Sequence, residues 1–356
     1  MANTTIAIDL MGGDHGSSVS LPASVRFLKK YSSVDLVLVG DRQQITSYIN
    51  KNLSKEMQSR VKIVHTTQVV EMDELPQSAM RNKKDSSMRV ALDLLKAQEV
   101  NAVVSAGNTG ALMATARYTL RTLPSIDKPA IAKILPTING RRVCILDLGA
   151  NITVDAEQLL QFAVMGSQLM ASDSNKNPAI GLLNIGTEAI KGLPVLKEVA
   201  VMLKNSGLNF YGNVEGNDVF SGKVDVIVTD GFVGNVALKT IEGAIHMIKD
   251  LFKQEIKKSF VNKILVLAIV PLLLGLKKRI DPDKYNGAVM IGLNGLVIKS
   301  HGGANEKGFF YAIEQAYKEI DAGFLLRLKE YLLANPQLFI LDNKPEMMEF
   351  KDLSML

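Results

Sequence analysis

Short apolar runs alternate with longer stretches of helical spacing from the first residues to about Val236, the pattern that βαβ units leave around a mainly parallel sheet. The runs span 6–8, 36–39, 61–64, 102–104, 143–146, 179–183 and 224–228, lengths that suit buried strands. Between them, 87–96 and 156–170 repeat apolar residues at helical intervals. Residues 289–299 read as one or two further strands interrupted by Gly292 and Gly295, and 306–331 as amphipathic helix. No fixed-period repeat, low-complexity linker or composition break divides the chain. One continuous α/β domain is therefore expected over 1–335, followed by a peripheral tail over 336–356.

Residues 237–285 leave this pattern as a helical excursion. Ile241, Ile245, Ile248 and Phe252 recur at helical spacing, with Lys239, Glu242, His246, Lys249 and Lys253 on other faces. An apolar run follows at 264–276. It contains Pro271 and falls short of the ~20 residues that span a bilayer, so no transmembrane helix is expected. Flanked by lysines, 260–279 fits an apolar tip that enters a membrane interface with its cations on anionic headgroups. It fits equally a helical hairpin buried in a dimer interface, and the two readings are compatible.

Candidate chemistry concentrates where the runs end. Val103-Val104 breaks into Ser105-Ala106-Gly107-Asn108-Thr109-Gly110 before a helical stretch. Glycines there let the backbone approach a ligand, and the next helix offers unpaired N–H groups to an anion. Any βα connection needs small polar residues and a cap, so this turn alone leaves the reading open. Four more runs end alike, in Met11-Gly12-Gly13-Asp14-His15-Gly16, Asp147-Leu148-Gly149-Ala150-Asn151, Asn184-Ile185-Gly186-Thr187-Glu188 and Thr229-Asp230-Gly231-Phe232-Val233-Gly234-Asn235. Ligands of open α/β sheets bind outside the carboxyl ends of the strands, so these turns suggest one polar site assembled from distant parts of the chain.

Composition narrows the class. The chain has 356 residues and is 47% hydrophobic, enough for a large core. Its single cysteine, Cys144, lies in an apolar run, which excludes an internal disulfide and fits a buried, inert thiol in a reducing compartment. The N-terminus lacks the basic start and apolar core of a secretion signal, so a cytoplasmic protein is expected. A net charge of +5 and the absence of Trp give no nucleic-acid footprint, although Arg81, Lys83, Lys84 and Arg89 form a local basic cluster. No dinucleotide fingerprint, P-loop, zinc motif or nucleophile elbow is present, so no cofactor and no metal are expected. Backbone amides, Asn side chains, two histidines and a nearby cation remain. That inventory suits binding an anion and stabilising an oxyanion without a covalent intermediate.

Several segments carry a specific resemblance in one order. Ile6 to His15, Ser105 to Met113, Leu182 to Glu188 and Thr229 to Val236, together with Arg-Asn-Lys-Lys-Asp-Ser-Ser-Met from Arg81, resemble the bacterial phosphate acyltransferases of phospholipid synthesis, and the similarity runs from Ile6 to about Ala316. The resemblance implies a Rossmann-like three-layer αβα sandwich, similar to phosphotransacetylases and isocitrate dehydrogenase-like enzymes. It also implies transfer of a fatty acyl group from acyl-[acyl carrier protein] to inorganic phosphate, a homodimer, and peripheral contact with the inner face of the cell membrane. It places a functional lysine at Lys191 and a functional asparagine at Asn235. On this reading Lys191 pairs with phosphate or the oxyanion and Asn235 donates to one of them. His15 and His301 are further catalytic candidates, with Asp14 beside His15. Gly107, Asn108, Thr109, Gly110 and Asn151 are candidate phosphate or substrate contacts, and Asp147 and Asp230 are expected to orient donors around the same site. One position departs from the family pattern: Thr153 stands where many members carry an acid two residues after the Asn of the Gly-Ala-Asn turn, with Asp155 further along.

Overall fold

The computed structural model describes residues 4–258, Gly275 and 281–339. Within them, eleven strands form one sheet: β1 (Thr4–Asp9), β2 (Val34–Gly40), β3 (Val61–His65), β4 (Ala102–Ser105), β5 (Ala130–Pro136), β6 (Arg142–Leu146), β7 (Ile180–Leu183), β8 (Phe210–Val214), β9 (Val226–Val228), β10 (Ala288–Ile291) and β11 (Leu296–Lys299). Helices fill the connections as α1 (Ser17–Lys30), α2 (Arg42–Asn52), α3 (Lys55–Gln58), α4 (Pro76–Asn82), α5 (Ser87–Lys96), α6 (Thr109–Leu120), α7 (Ala156–Met170), α8 (Pro194–Asn205), α9 (Gly231–Lys258), α10 (Glu306–Asp321) and α11 (Phe324–Ala334). All seven expected runs are strands, and 289–299 resolves into the antiparallel pair β10 and β11. β5 and β8 were not expected.

The strand order is β3-β2-β1-β4-β11-β10-β5-β6-β9-β7-β8. Two parallel blocks, β3-β2-β1-β4-β11 and β6-β9-β7-β8, are joined by β10 and β5, and every pairing across that join is antiparallel. The second block therefore runs opposite to the first. The sheet is mainly parallel, as expected, with seven of its ten pairings parallel; the reversal between the blocks was not expected. Its cause is the β5–β6 hairpin, whose turn at Asn139-Gly140 puts Gly140 at φ +80 and reverses the chain.

Alternation along the strands separates the two faces. Ile6, Ile8, Val104, Leu146, Ile180 and Val226 point into one core with α1, α2, α7, α8, α10 and α11. The opposite face carries two clusters: Ala7, Val103 and Val297 pack with α4, α5 and α6, while Ile131, Ile145 and Ile227 pack towards Leu238 and Ile241 of α9. Met113 of α6 touches both clusters. The layers are thus helix, sheet, helix, with the second helical layer parted above the join between the blocks.

Two expectations shift in detail. The helix expected over 306–331 is two helices, because Gly323 at φ +60 ends the first and starts the second. Cys144 is fully buried and its thiol is pushed above its ordinary range by burial, as an inert thiol should be. The excursion begins as α9, but the rest of the membrane or dimer tip at 260–279, Gly275 aside, lies outside the described residues, as does the tail from 340 onward.

Glu319 of α10 is 7% exposed, and its Oε1 accepts a hydrogen bond from Gln315 Nε2 at 2.6 Å. Burial raises its pKa from 4.5 to about 7 against the pull of Arg142 and Arg327. Between those values the unfolded chain binds fewer protons than the folded one, so stability falls as pH rises through the window. Glu319→Gln removes that titration. In urea unfolding the variant should exceed the parent by about 1–3 kcal/mol at pH 8 and converge with it near pH 4.5. A gap independent of pH would mean that Glu319 does not titrate in this range.

Candidate functional site

Two fully buried carboxylates shape the turns around the join. At the end of β1, Asp9 Oδ1 accepts from the Met11 and Gly12 amides, both at 3.2 Å, and from Ser87 Oγ at 2.6 Å. Asp9 Oδ2 accepts from Ser105 Oγ at 2.6 Å, and that hydroxyl accepts from the Gly107 amide at 3.0 Å. One carboxylate thus fastens the β1 turn, the β4 turn and the start of α5 together. At the end of β6, Asp147 Oδ1 accepts from the Ile131 and Ala150 amides at 2.9 and 3.1 Å. Its Oδ2 accepts from the Asn151 amide at 2.7 Å and from Asn151 Nδ2 at 3.0 Å. Burial raises the Asp147 pKa, and those four hydrogen bonds oppose the rise.

Helix α9 docks on the Asp147 turn through its glycines. Gly231 N donates to Asn151 O at 2.8 Å. A Cβ on Gly231 would lie 2.6 Å from that oxygen, and one on Gly234 would lie 1.9 Å from Asp147 O. Asp230 Oδ1 accepts from Val233 N at 2.9 Å and caps the first turn. The close approach carries Asn235 over Gly149, where a Cβ would sit 3.1 Å from Asn235 Nδ2.

A cavity of about 610 Å³ opens where the second helical layer parts. Thr109, Gly110, Met113 and Arg117 of α6 form one wall, and Asn235, Leu238, Lys239 and Glu242 of α9 form the other. Ile131 and Lys133 of β5, Ala288 of β10 and Lys299 of β11 form the floor. Strand register puts Lys299, Ala288 and Lys133 in one row across three neighbouring strands. The turns enter from opposite sheet edges: Asp14, His301 and Gly302 from the first block, Leu148, Gly149 and Ala150 from the second. Ile131 and Lys133 stand two residues apart on β5, ~7 Å along the strand.

The lining is cationic. Arg117, Lys133, Lys239 and Lys299 face Asp14 and Glu242. Glu242 meets Lys133 at 3.4 Å and Lys239 at 2.8 Å. Burial lowers the pKa of Lys133 and, most of all, that of Lys299, which falls to about 8. Burial and the charge of Lys239 also hold His301 below its ordinary range. His301 Nδ1 accepts from the Gly303 amide at 3.1 Å, which leaves the proton of the neutral ring on Nε2.

The structure brings together only part of the expected set. Asp14, Thr109, Gly110, Asn235 and His301 line the cavity. Gly107 is buried behind it, where Met88 Cε would meet a Cβ at 2.6 Å. Asn108 caps α6 through Ala111 N at 3.0 Å, while its Nδ2 holds the carbonyls of Met72 and Glu74 at 2.8 and 3.0 Å. Both ends of that amide are occupied by protein, so Asn108 shapes the rim. Asn151 spends its Nδ2 on Pro129 O and Asp147. Asp147 accepts from Ile131, Ala150 and Asn151, and Asp230 accepts from Val233 N, so both carboxylates bond to the turns themselves. His15 and Lys191 are exposed and outside the lining. Asp155 caps α7 in a capping box with Gln158, which accounts for that acid structurally.

Lys299, Lys133, Arg117 and Lys239 are the residues that sequence reasoning missed. Their signal was faint: a lysine ending the apolar stretch Leu296-Val297-Ile298, and a lysine inside the unrecognised strand β5.

A family model described as "Fatty acid synthesis protein" matches residues 4–327. The "Phosphate acyltransferase" of Chromobacterium violaceum is 51% identical over 327 residues, which cover 92% of this chain and 94% of that protein. That of Legionella pneumophila is 52% identical over 322 residues, covering 90% and 94%. Among solved structures, a phosphotransacetylase from Streptococcus pyogenes superposes with a TM-score of 0.58 at 16% identity, over 90% of this chain and 94% of that one. A branched-chain phosphotransacylase from Enterococcus faecalis gives 0.51 at 14% identity, over 89% and 99%. These two likenesses establish a shared fold.

The docking of α9 can be tested on one helix. Gly234→Ala must push α9 off Asp147 and should cost about 1–3 kcal/mol of stability while displacing Asn235 from the cavity. Gly243→Ala, where an added Cβ meets nothing within 4 Å, should be neutral or stabilise by up to about 1 kcal/mol. Thermal melts of the two variants check the contrast, and similar melting temperatures would refute it.

Proposed function

The chain belongs to the bacterial phosphate acyltransferase family, and we propose that its acyl donor is an acyl-[acyl carrier protein] thioester. It is an acyltransferase that passes an acyl group to phosphate in phospholipid synthesis. The observation that carries the mechanism is the cavity itself, where four cations and the Asn235 amide converge on a space that opens to solvent. A phosphate oxygen attacks the thioester carbonyl, the new C–O bond forms, and the C–S bond breaks. The proton of the hydrogen phosphate dianion ends on the departing sulfur, so acyl phosphate and free thiol balance the step. Phosphate is already nucleophilic near neutral pH, and the protein's task is to desolvate it, orient it and hold the developing oxyanion.

Asn235 donates to that oxyanion or to phosphate; among the described residues nothing hydrogen-bonds its side chain. His301 offers a neutral Nε2–H from the opposite edge. Lys191 stands on the exposed turn after β7, beside the turn that begins α9 because β7 pairs with β9. In this reading the loop closes on bound donor and brings its ammonium to the mouth. An acidic carrier finds complementary charge on the outer side of α6, where Arg89 and Arg121 lie over Tyr118 at 5.3 and 5.9 Å.

Homodimer formation and membrane contact belong to the same proposal. Ile245, Met247, Ile248, Leu251 and Phe252 are exposed along α9, an apolar surface suited to a second copy of the chain. Among the described residues no helix is long and apolar enough to cross a membrane. Attachment would rest on 260–279, and a variant with Leu265 and Leu273 changed to Asp should fail to float with anionic liposomes. Equal flotation would reject the tip as the anchor.

Purified protein incubated with acyl carrier protein thioester or coenzyme A thioester, with and without phosphate, should form hydroxamate-trappable acyl phosphate from the carrier thioester only when phosphate is present. Lys191→Ala and Asn235→Ala should each lower turnover by 100-fold or more, about 3 kcal/mol of barrier, with unchanged melting. Preference for the coenzyme A thioester would overturn the donor assignment, and wild-type turnover in Lys191→Ala would remove that lysine from the mechanism.

A further inference from the structure

Lys299 is the one buried lysine or arginine among the described residues, at 8% exposure, and it lies on the cavity floor. Its Nζ donates to Ala106 O at 3.1 Å and to the carbonyl of Ser300. An ammonium has three protons to give, so one remains for the cavity. Among the described residues no carboxylate forms an ion pair with it. Asp9 and Asp14 act on it only through space. A cation withdrawn from water without a contacting anion is costly, and a ligand of negative charge supplies what the protein leaves out.

Its neighbours define where that ligand sits. Ala288 and Lys133 follow Lys299 in one row across adjacent strands, so a single methyl separates the two lysines on the floor. Glu242 already meets Lys133 at 3.4 Å, and it also holds Lys239. Lys299 is therefore the floor cation whose charge is not shared with an acid. Gly302 and Asp14 line the same end of the cavity, and His301 adds a neutral donor.

We propose that Lys299 is the cation that seats inorganic phosphate, over Ala288 at the His301 end of the cavity, an assignment that rests on the acyl-phosphate reading above. Burial and the charge of Lys239 lower the pKa of Lys299 to about 8 against the pull of Asp9 and Asp14, which leaves it charged at neutral pH. Bound phosphate favours the charged form further. Phosphate affinity should therefore weaken as pH rises beyond about 8.

The test uses the full chain as Lys299→Met and Lys299→Arg. In acyl phosphate formation, Lys299→Met should raise the KM for phosphate by about 10- to 100-fold, with a smaller change in the KM for the thioester, and Lys299→Arg should recover part of the loss. Inorganic phosphate alone should raise the melting temperature of the parent above a chloride control of equal ionic strength, and this rise should vanish in Lys299→Met. A folded Lys299→Met with unchanged phosphate KM and an unchanged melting response would overturn the proposal. Should that variant not fold, the parent is labelled with an amine-reactive reagent at pH 8 and its peptides mapped by mass spectrometry. Phosphate should protect Lys299, and equal labelling with and without phosphate, zero included, would overturn the seat. Protection in a protein that makes no acyl phosphate from any thioester would defeat the reaction reading and leave the seat standing. An active protein whose Lys299 is indifferent to phosphate would do the reverse.

Discussion

A carboxylate taken wholly out of water has to be met by hydrogen-bond donors, and at Asp147 that requirement governs the site. Four donors from three residues converge on it, and they force the chain after β6 into a turn tight enough to present its outer backbone to α9. Only glycine at 231 and 234 lets the helix accept the offer. Asn235 is then delivered to the cavity as the next residue along. Asp9 does the equivalent work in the first block, tying two strand ends and a helix start by accepting four hydrogen bonds. Neither acid faces the cavity. Both are spent on shape, and the carboxylates that do line the cavity are Asp14 and Glu242.

The reversal of strand direction explains why a cavity lined by lysines opens at the centre of the sheet. In a wholly parallel sheet the strand-end turns gather on one edge, and the face stays covered by helices. Here two blocks run in opposite senses, so one set of turns approaches from each edge, and α6 and α9 leave the face between them uncovered. That uncovered face includes strand residues, which is how lysines of β5 and β11 reach a ligand at all. A lysine in a central strand would otherwise face an apolar layer. Its charge is tolerable only where the helices stand apart.

Much of this architecture was legible in the apolar pattern, and the gaps have physical causes. Six of the seven runs announced strands because both of their faces are buried, which makes them rich in Val, Ile and Leu, while 61–64 is an edge strand whose Lys62 is exposed. β5 escaped because Lys133 interrupts its run and Pro136 ends it; yet Asn139-Gly140 is the strongest short hairpin signal available, and it marks the reversal. β8 escaped because it is an edge strand, Phe-Tyr-Gly-Asn-Val, with little apolar surface to reveal it. At the site, the turns were readable as polar and glycine-rich, but which of their side chains remain free was not. Asn108 and Asn151 look alike in sequence to Asn235. Two of the three are consumed by carbonyls and a carboxylate that only the fold brings near.

In the proposed mechanism Lys191 and Lys299 act differently on one substrate. On an exposed turn, an ammonium 4 Å from a phosphate charge gains about 1 kcal/mol in water and must give up side-chain freedom to hold that position. On the cavity floor, at the effective dielectric of a protein interior, the same pair gains about 4 kcal/mol, and two backbone carbonyls have fixed the lysine beforehand. The buried lysine suits a ground-state task, selecting and seating an anion. The exposed one suits a conditional task, since its attraction becomes large only when a bound donor excludes water from the mouth. A thioester enzyme gains from that division, because a cation that strengthens as the donor arrives favours the charge that develops during attack over the charge already present in phosphate.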